Sequence, residues 1–303
     1  MSEQNPEAKI LFLSDTQAPM FVERLVLRTH QNTKATQTIF DEILRIRPDV
    51  LYWLGDIVSL GFRNDKWPMI DRFLEKCREF GTSVYAIMGN HDVMGRPRKG
   101  ARNFQRRFPE HVHTGYVQMT DHIAVIMLNS NFATLSVADM VKQQTWYEQT
   151  LKDLDENPDV KVVIVTCHHA PYSNSKLVGS SKLVQQRFVP CYIKSKKARL
   201  FITGHSHAFE RFQFEGKEFL VIGGGGGLRQ PMNTSPTRLP DLASYYKPMF
   251  HYLDVRREDE DLILTSHCLH SDFSGFDECY GYRIRANALF EAEKSGKDER
   301  VTP

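Results

Sequence analysis

Seven short apolar runs, at residues 9–14, 50–54, 84–88, 123–128, 161–166, 200–203 and 219–222, constrain this 303-residue chain more than any other feature. Each is rich in Val, Ile, Leu or aromatic residues, continuous rather than alternating, and closed by glycine or polar residues. That is the pattern of strands buried on both faces. Between most of them lie segments of helical spacing. Residues 35–46 carry Ile39, Ile43, Leu44 and Ile46 and stop before Pro48; 71–80 stop at Gly81; 137–154 follow Ser136, a candidate N-cap; 178–188 stop before Pro190. The alternation predicts an α/β layered fold. The last part departs from it: 250–255 and 262–268, joined by the acidic turn 258–261, read as an antiparallel hairpin. Residues 228–249, with Pro231, Pro236, Pro240 and Pro248, read as a long loop without an element of its own.

Composition excludes some classes. Lys plus Arg (39) nearly balances Asp plus Glu (37), and the net charge of +2 with no long basic arm speaks against nucleic acid as the partner. The five cysteines, Cys77, Cys167, Cys191, Cys268 and Cys279, form no CxxC pair, which predicts reduced thiols rather than a disulfide framework. The polar start and the absence of an apolar run of membrane-spanning length point to a cytoplasmic protein with no membrane partner. A single domain is expected over 1–290, followed by a charged tail at 291–303; oligomeric state is left open.

The chemistry sits where the runs stop. After the first comes Asp15-Thr16-Gln17, after the second Gly55-Asp56, after the third Gly89-Asn90-His91-Asp92, after the fifth His168-His169-Ala170-Pro171, after the sixth Gly204-His205-Ser206-His207. In α/β sheets the carboxyl ends of strands are where ligands bind, so clusters far apart in sequence can meet there. Two carboxylates, an amide oxygen and three or more imidazoles suit a pair of divalent cations sharing one carboxylate. Two dications less two carboxylates leave about +2, which attracts phosphate.

These residues, in this order, resemble the calcineurin-like metallophosphoesterases, whose pattern runs DxH, GDxx(D/Y), GNH(D/E), a strand-terminal His, then GHxH. The segment 204–211, GHSHAFER, is similar to the purple acid phosphatase branch. The resemblance implies a four-layered α/β sandwich, two mixed sheets flanked by helices. It also implies a phosphoesterase that attacks a small phosphorylated substrate with a hydroxide bridging two metals; phosphodiester or nucleotide pyrophosphate hydrolysis, or a catalytically weak scaffold, are the alternatives. Asp56 would then bridge the ions; Asp15, Gln17 and His207 would hold one, and Asn90, His205 and His168 the other. His169 is the alternative ligand or a substrate-binding residue. His91 would assist the leaving group, with Asp92 orienting it. Two positions depart from the pattern. Gln17 stands where most members have His, and its oxygen favours Mn or Fe, or Mg, over Zn; Ser59 stands where the purple enzymes have a tyrosine ligand to ferric iron. Substrate choice should lie in residues 20–33, 96–107 and 228–249, which match no motif. Within 96–107 the basic run reads as a solvated helical face or a steering rim. Glu210 and Arg211 read either as an ion pair with each other or as support beneath His207, and Gly223–Gly227 as a turn passing near the site.

Overall fold

The structure, a computed structural model, describes residues 8–286; the tail expected at 291–303 lies outside the described residues. Two six-stranded mixed sheets form the frame. The strands of the first are β1 (Ile10–Leu13), β2 (Val50–Trp53), β3 (Ser83–Ala86), β10 (His251–Glu258), β11 (Asp261–Leu269) and β12 (Phe276–Ile284), in the order β12-β11-β10-β1-β2-β3. Those of the second are β4 (Tyr116–Thr120), β5 (Ile123–Leu128), β6 (Val162–Cys167), β7 (Ala198–Thr203), β8 (Phe209–Phe214) and β9 (Lys217–Ile222), in the order β4-β5-β6-β7-β9-β8. Strands β1–β3 are parallel, as are β5, β6, β7 and β9.

Side chains alternate across each strand, so an apolar run with both faces buried feeds two cores. In β1, Ile10 and Phe12 enter a core shared by both sheets, with Val162, Ile164, Leu200 and Ile202 from the second. Leu11 and Leu13 face outward, against α2 (Asn32–Ile46) and α3 (Pro68–Glu79). On the far side, Val163 and Val165 of β6 pack under α6 (Val137–Glu156), α7 (Lys182–Arg187) and α8 (Val189–Lys194). Helix, sheet, sheet and helix give the expected four layers.

Helix α2 buries Ala35, Thr36, Ile39, Phe40 and Ile43 on one face and ends at Arg47, where φ turns to 53° before Pro48. Ser136 caps α6, accepting a hydrogen bond from the Asp139 amide at 3.1 Å. The helix expected over 178–188 is instead two, α7 and α8, because Pro190 lies in the first turn of α8, where its missing N–H is no loss. The expected hairpin is the pair β10–β11, and β12 adds a third strand to it. Residues 228–249 hold no helix or named strand; a single bridge joins Met232 to Ser175.

One cysteine expectation is corrected. Cys268 and Cys279 are joined by a disulfide, with Cα atoms 6.0 Å apart, while Cys77, Cys167 and Cys191 are free. The β11–β12 register shifts between Ser266 and His267, and Cys279 is the residue left without a partner there, beside Cys268. Such a pairing depends on a bulge that no cysteine spacing announces. No helix among the described residues is long and apolar enough to cross a membrane.

His111 is buried edge-on against Phe104 and Tyr116, and neither ring nitrogen has a partner among the described residues. Burial pushes its pKa down to about 4. A histidine in the unfolded chain titrates near pH 6.5, roughly. Between those values the unfolded chain binds a proton that the folded chain refuses, so stability falls as pH falls through that window. His111→Phe is expected to remove this component. Its stability relative to wild type should rise by about 2 kcal/mol on going from neutral pH to pH near 4.5, read from urea midpoints. An unchanged difference would mean that the ring is charged in the fold.

Candidate metal centre

The polar residues that close β1, β2, β6 and β7, together with the turn after β3, meet at one end of the two sheets. Three of them have left-handed backbone: Asp15 (φ 58°), Asp56 (φ 50°) and His205 (φ 67°). Such conformations cost about 1–3 kcal/mol each and persist only where the surroundings hold them. Here the holding bonds are visible. Asp15 accepts from the His205 amide at 2.9 Å and from the Ser14 hydroxyl at 2.6 Å. Asp56 accepts from the His91 amide at 2.7 Å. Gly89 leaves room for that carboxylate, which a Cβ would strike. The turn after β3 forms one short helix, α4 (Asn90–Val93), followed by α5 (Pro97–Gln105).

The donors fall into two overlapping groups. Asp15, Asp56 and His168 offer atoms within 4.8 Å of one another, and so do His168, His169 and His205. His168 Nε2 lies 3.3 Å from Asp56 Oδ2 and 3.2 Å from Asn90 Oδ1. His207 Nε2 lies 3.4 Å from Asp15 Oδ1. The Gln17 amide is satisfied when its nitrogen donates to the Asp56 carbonyl at 2.9 Å; its oxygen then faces His207 Nε2 at 3.1 Å.

The ring orientations are fixed from behind. His168 Nδ1 donates to the Leu54 carbonyl at 2.8 Å, and His207 Nδ1 to the Leu228 carbonyl at 2.6 Å. In the neutral ring each Nε2 therefore turns a lone pair toward an aspartate. His169 is held differently, with Nδ1 at 2.8 Å from the Ser130 hydroxyl and its ring 4.4 Å from that of His205. The glycine run behaves as expected of a close approach: the Gly225 and Gly227 amides donate to the carbonyls of Ser14 and Asp15, and a Cβ at Gly227 would lie 2.5 Å from the His207 ring.

Burial works against ionising Asp56, but the charges of His168, His91 and His205 outweigh it and hold the carboxyl well below the usual range. His168 is the converse: burial pulls it down and Asp56 lifts it to about 9. His207 is raised, Asp15 outweighing burial, whereas burial and the neighbouring His168 push His169 down to about 3 and His205 well down too. The buried aspartates thus favour positive charge at His168 and His207, the place a dication would take. Lone pairs converging on buried carboxylates, with a carboxamide oxygen among them, fit a divalent metal centre.

His91 stands at the edge of this cluster. Its Nδ1 donates to the Ser59 carbonyl at 3.2 Å, and Nε2 is 4.0 Å from Asp56 Oδ2 and 3.9 Å from Glu23 Oε1. The orienting role expected of Asp92 therefore belongs to Ser59. The Asp92 carboxylate accepts from the amides of Gly89 (2.8 Å), Ile57 (3.1 Å) and Val58 (3.3 Å) and ties two loops together. Burial and the charge of Asp56 push it up to about 8, against the pull of the Gly89 and Val58 amides. Glu210 and Arg211 do not pair with each other. Glu210, fully buried, accepts from Ser206, Ser173 and the Asn174 amide, while Arg211 pairs with Glu218 at 2.9 Å. The basic run splits: Arg107 pairs with Asp71, whereas Arg96, Arg98, Lys99 and Arg102 line a separate hollow with Ala133 and Thr134.

Sequence reasoning missed Glu23 and Gln230, which line the cleft over the donors. Gln230 donates to the His205 carbonyl at 3.3 Å. Neither lies in a strand-end cluster; Glu23 is in the short helical turn within 20–33 and Gln230 in the loop 228–249.

A family model for the calcineurin-like phosphoesterases matches residues 8–209, and the chain belongs to that family. Among solved structures, a purple acid phosphatase from yellow lupin (Lupinus luteus) seeds superposes with a TM-score of 0.69 at 15% identity, over 93% of this chain and 54% of its own. This chain therefore spans about half the lupin protein's length. GAP50, the anchor in the inner membrane complex of Plasmodium, superposes at 0.66 with 14% identity, over 95% of this chain and 94% of its own. A dimetal phosphatase from Danio rerio superposes at 0.57 with 12% identity, over 93% and 100%. At these identities the likeness is one of fold.

Proposed function

We propose that this chain hydrolyses phosphoesters at a dinuclear centre. The observation that carries the reading is the pair of buried rings, His168 and His207, each pinned through Nδ1 to a backbone carbonyl and aimed through Nε2 at a buried aspartate. Asp56 shares one donor group with Asp15 and lies 3.3 Å from His168, the residue common to both groups; its carboxylate is the candidate bridge. Asp15, Gln17 and His207 would hold one ion; Asn90, His168 and His205 the other, with His169 beside them. Bound there, two divalent ions would supply Lewis-acid stabilisation of phosphoryl oxygens and acidify a water. The chain's own part is positioning. Asp92 fixes the loops after β2 and β3, Glu210 fixes the loop after β7, and His91 offers an imidazole at the edge where an ester oxygen would depart. The carboxamide oxygen of Gln17 favours Mn²⁺ or Fe²⁺ over Zn²⁺ at its side of the centre.

Metal content of the purified protein, followed by turnover of p-nitrophenyl phosphate and bis-p-nitrophenyl phosphate with added Mn²⁺, tests this. Two ions per chain with turnover is the expected result, and the ratio of the two rates separates monoester from diester hydrolysis. No metal and no turnover after reconstitution would make the chain a non-catalytic binding protein of the same fold.

A further inference from the structure

The cleft over the donors has a polar floor and apolar walls. Its volume is about 320 Å³; Asp56, Asn90, His91, His205 and His207 lie at the bottom, and Val22, Val26, Leu27, Leu177 and Val178 at the sides. It continues into an open groove of about 550 Å³ that shares Val26, Leu27 and Leu177 and adds Pro231 and Met232, with Arg28 and Arg229 at the lip. The walls come from segments that carry no ligand. One of them, the single turn α1 (Phe21–Arg24), buries none of its side chains among the described residues, and Phe21, Val22, Leu25 and Val26 are 76%, 60%, 71% and 79% exposed. Leu177 on the neighbouring wall is 54% exposed. Exposed apolar residues scattered singly need no explanation, but a cluster around the mouth of a charged pocket marks a ligand with an apolar part.

Resting on the phosphoesterase reading, we infer that the substrate is an amphiphilic phosphoester: a single molecule whose phosphoryl group sits over the donor cluster while an alkyl or acyl chain lies along the Val26, Leu27, Leu177 and Met232 groove. Two features argue for this occupant. The groove is continuous with the donors, so one small molecule can reach both; and Arg28 and Arg229 at the lip favour an anion entering head first. A compact sugar or nucleotide would leave the apolar walls wet and its own hydroxyls unpaired against them.

Binding of alkylphosphonates to the Mn²⁺-loaded protein tests the inference without requiring turnover. Ethyl-, butyl-, hexyl- and octylphosphonate are titrated by calorimetry, all below their micellar concentrations. Affinity is expected to rise about thirtyfold to a hundredfold from ethyl to octyl, as half-buried methylenes add up. In the double variant Val26→Asp, Leu177→Asp that ratio should collapse to about twofold or less, the added carboxylates keeping the groove wet. A flat series in the wild type, or a gain seen only above the micellar concentration, overturns the inference. Turnover of the p-nitrophenyl esters with a flat phosphonate series would leave the phosphoesterase reading standing without its amphiphile. A steep series without any turnover would do the reverse.

Discussion

Asp56→Asn is expected to reduce hydrolysis by about 10³-fold or more and to leave the protein with less than its full complement of metal. The carboxylate is the acceptor of the His91 amide and the neighbour of His168 Nε2 at 3.3 Å. Asparagine keeps one oxygen for that amide, so the loop can stay folded. What it removes is the charge. With one carboxylate gone, His168 loses the partner that raises it, and two dications would face a donor set with only Asp15 to offset them. Metal analysis of wild type and variant, together with kcat on whichever nitrophenyl ester is turned over, checks this. Full turnover in the variant would remove Asp56 from the centre.

His91→Ala should behave in the opposite sense for metal and in a more selective way for rate. Both ions should remain, because the His91 ring is pinned to Ser59 and stands 4.0 Å from the nearest Asp56 oxygen. The rate should fall about 10²- to 10⁴-fold, the usual worth of a placed proton donor. The loss should be larger for alkyl esters, whose departing oxygen needs a proton, than for p-nitrophenyl esters, whose oxygen leaves readily as an anion. An equal loss on both would assign His91 to holding the phosphoryl group, and loss of a metal ion would make it a ligand.

How much of this was legible in the sequence follows from what each strand faces. The seven apolar runs each hold a strand, and most of those strands are flanked on both sides. Strands β4, β8 and β12 were not read, and all three are sheet edges. YVQMT, FERFQF and FDECYGYRI alternate or mix polar with aromatic residues, because one side of the strand meets water or a loop. At the site, residue types at strand ends announced the candidate ligands, since few packing reasons put Asp, Asn and His there. What they could not announce was the support. Ser59 orients His91 through a carbonyl that every residue has, and Asp92 gathers amides instead of the ring beside it. For the cleft, the segments 20–33 and 228–249 were legible as the place of substrate choice, but not which of their residues, Glu23, Val26 and Gln230 among them, face the donors.

The family match ends at residue 209, yet the structure beyond it is not an appendage. Strand β9 lies inside the second sheet between β7 and β8, and β10 is the neighbour of β1 in the first. The Gly227 amide closes onto the Asp15 carbonyl and the Leu228 carbonyl holds the His207 ring. A chain still being synthesised therefore has its aspartates early and the frame that aims them late. Asp15, Asp56 and Asn90 wait for more than a hundred further residues to leave the ribosome before the centre can close. A cation held by these residues would therefore be captured late, once β9 and the Gly227–Leu228 turn have been added, when it can no longer cross-link the wrong loops.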